Sequence, residues 1–227
     1  MNPDEDGDIW YPFPTETLEC PVESDIDLSK LLPQTNSKIL IDGGHFIKKD
    51  TKERVRFFGT NVCFSLAFPS KDHSPLIARR MSQLGINVVR FHHMDHRYIW
   101  LDNTNSILDP SKLDLLHYFL YCLHENGIYA NINLHVSRIY PEPEFTSQLQ
   151  SKFHYGKCLD RFYPPFLIDQ MQYSLNLLNS YNKYTKCKLA DDPMILNIEL
   201  NNETTMFDLL HQDKFEAIQN TVFETEL

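Results

Sequence analysis

A chain of 227 residues that is 42% hydrophobic and 12% aromatic has enough apolar material for a buried core, which argues against a disordered polypeptide. It holds no apolar run near the roughly eighteen residues of a membrane helix, which argues against a membrane protein. The formal charge of −10 is unevenly placed, with nine acidic side chains in residues 1–30 against Lys30 alone; the remainder is close to neutral, has no basic cluster for nucleic acid, and suits an uncharged ligand.

Residues 1–56 read as a leader. The opening Met1-Asn2-Pro3-Asp4-Glu5-Asp6 lacks the basic start and apolar core of a secretory signal, and localisation stays open. Pro12, Pro14, Pro21 and Pro33 keep the first part irregular, while 38–41 and 45–48, around Asp42-Gly43-Gly44, predict a hairpin placed to lid the N-terminal mouth of a barrel. Strands and helices then alternate. A strand over 57–63 leads to a helix over 74–85, with Ser74 as N-cap, Pro75 at the first helical position and Gly85 as its stop. A strand over 86–91 puts Arg90 and His92 on one face. The helix over 111–127 carries Leu113, Leu116, Phe119, Leu120 and Leu123 on one side and stops at Gly127.

The strand over 128–135 alternates Ile128, Ala130, Ile132 and Leu134 with Tyr129, Asn131, Asn133 and His135. A third helix, from about 165 to 184, shows Ile168, Met171, Leu175 and Leu178 at spacings of three and four. The strand over 194–203 sets Leu196, Ile198 and Leu200 against Asn197, Glu199, Asn201 and Glu203. A weaker helical pattern covers 206–223. Strands with one wholly polar face line something wet, and four strand–helix units imply parallel strands joined by right-handed crossovers. The expected class is α/β, a (β/α)8 TIM barrel of which this chain supplies about the first four βα units after the leader and hairpin. A whole barrel takes about 250 residues, so 57–227 is expected to be the N-terminal half of a catalytic domain. Glu203 stands at the C-terminal end of a strand, where barrel enzymes place their chemistry.

Four stretches carry a resemblance: Arg56-Phe57-Phe58-Gly59-Thr60-Asn61, Gly85-Ile86-Asn87-Val88-Val89-Arg90-Phe91-His92-His93-Met94-Asp95, Gly127-Ile128-Tyr129-Ala130-Asn131-Ile132-Asn133-Leu134-His135 and Leu200-Asn201-Asn202-Glu203. In this order and on successive strands, they resemble glycoside hydrolase family 5, the cellulase-like retaining glycosidases. The resemblance spans about residues 38–210. It implies a β-linked glycan substrate, no cofactor, and a retaining mechanism with two carboxyl groups about 5–5.5 Å apart. Glu203 matches the acid/base, Asn202 the asparagine that meets the sugar 2-hydroxyl, Arg90 the arginine that steadies the nucleophile, and His135 a histidine at the end of the third strand. His92, His93 and Trp100 are placed to reach the same cleft. The family's nucleophile follows a seventh strand that this sequence does not contain, so the chain is expected to be inactive alone. Its expected partners are a carbohydrate substrate and either a missing C-terminal half-barrel or further copies joined through open sheet edges. In a complete enzyme the nucleophile would raise the pKa of Glu203 by like-charge repulsion.

Each residue also has a structural alternative. Glu203 could sit at a helix start, Arg90 could neutralise Glu199, His135 could be a core histidine, and His92 and His93 could be loop residues. Glu199, deeper in its strand, reads as structural. Phe64, Phe68, Tyr98, Trp100, Tyr140, Phe145 and Tyr155 are candidate sugar-stacking rings, and the long connection 136–164 could shape subsites. Cys20, Cys63, Cys122, Cys158 and Cys187 read as free thiols, and Asn202-Glu203-Thr204 as a chance glycosylation match. Two rival classes are a metal-dependent hydrolase using His92, His93, Asp95, His96 and His135, and a non-catalytic, glycan-binding half-barrel.

Overall fold

The computed structural model describes residues 27–32, 35–101, 107–139, 157–161, 163–205 and 207. The helix expected over 206–223, except for Phe207, lies outside them, as do Cys20, Tyr140, Phe145 and Tyr155. Strands β1 (Ile39–Asp42), β2 (His45–Lys48) and β3 (Arg54–Val55) form an antiparallel sheet, so the expected hairpin gains a third, two-residue strand. Next along the chain come β4 (Gly59–Cys63), β5 (Val88–His92), β6 (Tyr129–His135), the short pair β7 (Tyr181–Asn182) and β8 (Cys187–Lys188), and β9 (Ile195–Asn201). The main sheet has the order β4-β5-β6-β9, all parallel. Helix α1 (Ser74–Gln83) connects β4 to β5, α2 (Pro110–Glu125) connects β5 to β6, and α3 (Pro164–Leu178) lies between β6 and β9. This is the strand–helix succession of half a TIM barrel.

Helices α1 and α2 end by the same local chemistry. Gly85 and Gly127 take φ of +77° and +74°, which a residue with a Cβ adopts only at a cost. The amides of Gly85 and Ile86 then donate to the Ser82 and Met81 carbonyls, and those of Gly127 and Ile128 to His124 and Leu123, closing a Schellman motif each time. Ile86 and Ile128 thus leave their helices already aimed into the next strand.

The core lies between sheet and helices, where Val89, Phe91, Ala130 and Ile132 meet Leu116, Phe119, Leu120 and Leu123 of α2. At the opposite end, Phe57 bridges Phe46 and Tyr129 with ring centroids 5.4 and 5.7 Å away. The Tyr129 hydroxyl donates to the Ser37 carbonyl at 3.1 Å. The β1–β3 sheet is thereby fastened at the N-terminal ends of the parallel strands.

Three expectations shift. Helix α1 is capped by His73 rather than Ser74, because the Ser74 amide already donates to the Ser70 carbonyl and its hydroxyl does the same at 2.9 Å. Helix α3 stops at Leu178 instead of near Tyr184: the Asn182 side chain accepts the Tyr184 and Thr185 amides and bends the chain into the β7–β8 hairpin. Of the apolar stripe read in α3, only Leu178 packs against the core. Ile168, Met171 and Leu175 are more than half exposed, and the helix buries Phe166, Gln170, Tyr173 and Leu177. Cys63, Cys122, Cys158 and Cys187 are free thiols, as expected.

Buried histidines couple this fold to pH. Burial draws His117, whose ring stands 2.9 Å from the Ser180 hydroxyl, down to about 4, and draws His135 down to about 4 as well. Both stay neutral in the fold where an unfolded histidine, near 6.5, takes a proton. The unfolded chain binds more protons below that value, so stability falls between pH 6.5 and 4. Buried Asp95, pushed up to about 6, acts in the opposite sense below pH 6, so the difference between two proteins is the clean readout. His117→Asn should flatten the slope of urea-unfolding free energy over pH 6.5–4 by up to about 1.4 kcal/mol per pH unit. An unchanged slope would show that His117 titrates normally.

Candidate active site

The inner, polar face of the parallel strands converges on Glu199. Arg90 of β5 donates from Nε to both carboxylate oxygens at 2.9 and 3.1 Å and from Nη2 to Oε2 at 2.6 Å. From β6, the Nδ2 groups of Asn131 and Asn133 each add a bond of 2.6 Å. The strand register explains the meeting, since Arg90 lies beside Asn131, and Asn133 beside Glu199. The hydrogen bonds from Arg90, followed by that from Asn131, hold the Glu199 carboxyl below the usual range. Arg90 also donates through Nη2 to Asn202 Oδ1 at 3.0 Å, which fixes the amide orientation and turns its N–H2 the other way. Asn133 Nδ2 stands 3.4 Å from His92 Nδ1, and burial, Arg90 and His93 lower His92 to about 4.

Where these strands end, the backbone kinks. Phe64 (φ +54°), His93 (+55°) and Glu203 (+51°) follow β4, β5 and β9 in the left-handed region, and Cys158 (+71°) joins them from the connection after β6. Such residues each cost about 1–3 kcal/mol and collect at functional sites. Phe64 stacks on His93 with centroids 4.4 Å apart, and the His92 and His93 rings lie 4.2 Å apart. The Glu203 side chain is 78% exposed and pairs with Lys157 Nζ at 2.9 Å. That ammonium lowers the Glu203 carboxyl, the opposite of the shift a general acid needs.

His135 and Trp100 are turned away from this cluster. His135 is buried, its Nε2 3.0 Å from the Ser174 hydroxyl and its ring against Tyr173. Trp100 is 6% exposed, donates to the Asp95 carbonyl at 2.9 Å, and packs between the Arg138 guanidinium and Tyr173. Neither presents a free ring face to a sugar in this structure, because the wall between β6 and α3 claims both. Phe68 is buried too, and among the described candidate rings Phe64 and Tyr98 are the partly exposed ones.

Asp95 anchors that wall. Its carboxylate accepts the amides of Val136, Ser137 and Arg138 at 2.7–3.1 Å, and Arg138 pairs with Asp169 at 2.9 Å. A space of only about 10 Å³ remains among Asp95, His135, Arg138, Lys157, Cys158 and Thr204. Asp95 and His135 are therefore committed elsewhere, and among the described residues no three acidic, histidine or cysteine side chains converge as a metal ion requires. Neither periodicity nor a motif marks Lys157 or Arg138 for these roles in the sequence, and Asp95 is read there only as part of a motif stretch and as a possible metal ligand.

Removing Arg90 tests whether it is the counter-ion of Glu199. Arg90→Met should destabilise the protein by about 3 kcal/mol, because a partly buried carboxylate loses its positive partner. Arg90→Met combined with Glu199→Gln should recover much of that loss in urea titrations. Equal costs for the single and double variants would contradict the pairing.

No family model matches the chain, and no curated protein matches it. Solved structures do. An endo-1,4-beta-mannanase from Rhizomucor miehei is similar at TM-score 0.57 and 21% identity, over 74% of this chain and 48% of that one. A glycoside hydrolase family 5 mannosidase from Rhizomucor miehei gives TM-score 0.57 at 13% identity, over 84% and 55%. A mutant family 5 mannosidase from the same organism, in complex with mannosyl-fructose, gives 0.57 at 14%, over 83% and 54%. The chain spans about half the length of these structures. At such identities the likeness is one of fold: this chain follows half of the barrel that those glycoside hydrolases share.

Proposed function

We propose that this chain is the N-terminal half of the catalytic barrel of a family 5 retaining glycosidase that acts on a β-linked glycan. The β1–β3 sheet fastens onto its closed end. Glu203 is the acid/base and Asn202 the donor to a sugar hydroxyl; His92 and His93 line the cleft. The observation that carries the reading is the Arg90 fork, which joins Glu199 to Asn202 and holds that amide one residue before Glu203 at the mouth of the polar face. The fold neighbours include an enzyme described as a mannanase and others described as mannosidases, which makes β-mannan the first substrate to try.

Catalysis by retention needs a second carboxyl group about 5–5.5 Å from the first. Glu199 cannot supply it, because its oxygens are engaged by Arg90, Asn131 and Asn133. The complementary half-barrel, which would pair with the outer edges of β4 and β9, is the expected source. The 227-residue protein should therefore give no turnover of β-mannan, β-glucan or aryl β-glycosides. Turnover abolished by Glu203→Gln would overturn this and require a nucleophile within this half. In a polypeptide that also carries the remaining strands, Glu203→Gln should spare activated aryl glycosides far more than natural ones, with azide accelerating deglycosylation. Equal slowing of both substrate types would remove Glu203 from the acid/base role.

A further inference from the structure

Residues 157–161 clasp the segment that bears Glu203. Lys157 Nζ meets Glu203 Oε2 at 2.9 Å, the Cys158 thiol points to the Thr205 carbonyl at 3.5 Å, and Arg161 Nη2 lies 3.4 Å from the Thr204 hydroxyl. The two partners of the ion pair differ in setting. The Lys157 side chain is 20% exposed and the Glu203 side chain 78%, so the ammonium is the fixed end and the carboxylate reaches to it. Glu203 makes this contact from a left-handed backbone at φ +51°, and Cys158, beside Lys157, is left-handed at +71°. Two left-handed residues thus flank the contact, Glu203 within the ion pair and Cys158 next to Lys157, and such conformations collect at functional sites.

We propose that Lys157 is a positioning residue that latches Glu203, and that this ammonium–carboxylate pair must open before Glu203 can give up a proton to a leaving group. The inference rests on the reading of Glu203 as acid/base. An ionised carboxylate has no proton to donate, and an ammonium at 2.9 Å favours the ionised form. Among the described residues, His92, His93 and Arg90 also act on Glu203, and Arg161 lies beside it on Thr204. Burial keeps both histidines neutral near pH 7, and Arg90 is held by Glu199, which leaves Lys157 as the dominant cation. A substrate hydroxyl that drew Lys157 away would release the latch and arm the acid in one movement.

The test is a carbon-13 titration of the glutamate side-chain carboxyls in the full chain, with the Glu203 signal assigned by its loss in Glu203→Gln. In the wild-type protein the Glu203 midpoint should lie below the ordinary glutamate value. Lys157→Met should raise it to that value or above, while Lys157→Arg keeps it low. A wild-type midpoint at or above the ordinary value overturns the proposal without any Lys157 variant, and so does a midpoint that Lys157→Met leaves unmoved. Amide spectra of the variants at neutral pH establish that the fold is intact. These readouts do not depend on turnover, so failure of the latch is distinct from failure of the acid/base assignment, which the Glu203→Gln kinetics decide.

Discussion

The ion pair between Arg90 and Glu199 is the constraint around which the polar side of this half-barrel is arranged. Parallel strands buried against helices ordinarily carry apolar residues on both faces, yet β5, β6 and β9 place Arg90, Asn131, Asn133 and Glu199 on one of theirs. Two charges about one-quarter exposed are tolerable only when they are paired and their remaining hydrogen-bonding capacity is filled. The two asparagines complete that set from the strand between the ion-pair partners. The result stitches three adjacent strands together by side chains as well as by backbone, and its last link, from Arg90 to Asn202, sets the residue that precedes Glu203.

A second polar assembly holds the outer wall. Asp95 takes up three successive amides of residues 136–138, at the point where the chain leaves β6. Buried Arg138 lies against Trp100 and Tyr173 and pairs with Asp169 of α3. Left-handed residues follow the C-terminal ends of β4, β5 and β9, and two more, Lys52 and Lys186, sit in hairpin turns. The N-terminal ends are closed by apolar contacts among Phe46, Phe57 and Tyr129.

What could be read in the sequence was what depends on local chemistry. Gly85 and Gly127 announced the ends of α1 and α2 because a left-handed cap needs glycine, and period-two alternation in β6 and β9 announced the polar face. Arg90, Asn131, Asn133 and Glu199 come together because parity and register put them on one face of adjacent strands. What depends on neighbours was not legible. Helix α3 has two apolar stripes, and only packing decides that Tyr173 and Leu177 go inward while Ile168 and Met171 stay out. Parity also sent His135 toward the cleft, but Ser174 and Tyr173 claim its ring from the helix side. Trp100 looked like a stacking platform by type and position, and a buried guanidinium occupies its face instead. Lys157 belongs to a long connection without periodicity, so nothing marked it as the partner of Glu203.

The functional reading reduces to one proposition, that the C-terminal ends of β5 and β9 form a carbohydrate site in this half-barrel. It is checked most simply by a map of backbone and side-chain chemical-shift changes in the 227-residue protein on addition of β-1,4-linked manno-oligosaccharide and, separately, cello-oligosaccharide. Saturable changes concentrated at Phe64, His92, His93, Asn202 and Glu203 are expected, with one of the two sugars preferred. Changes confined to the outer surface of α2 or to the β1–β3 sheet, or none with either sugar at millimolar concentration, would contradict it.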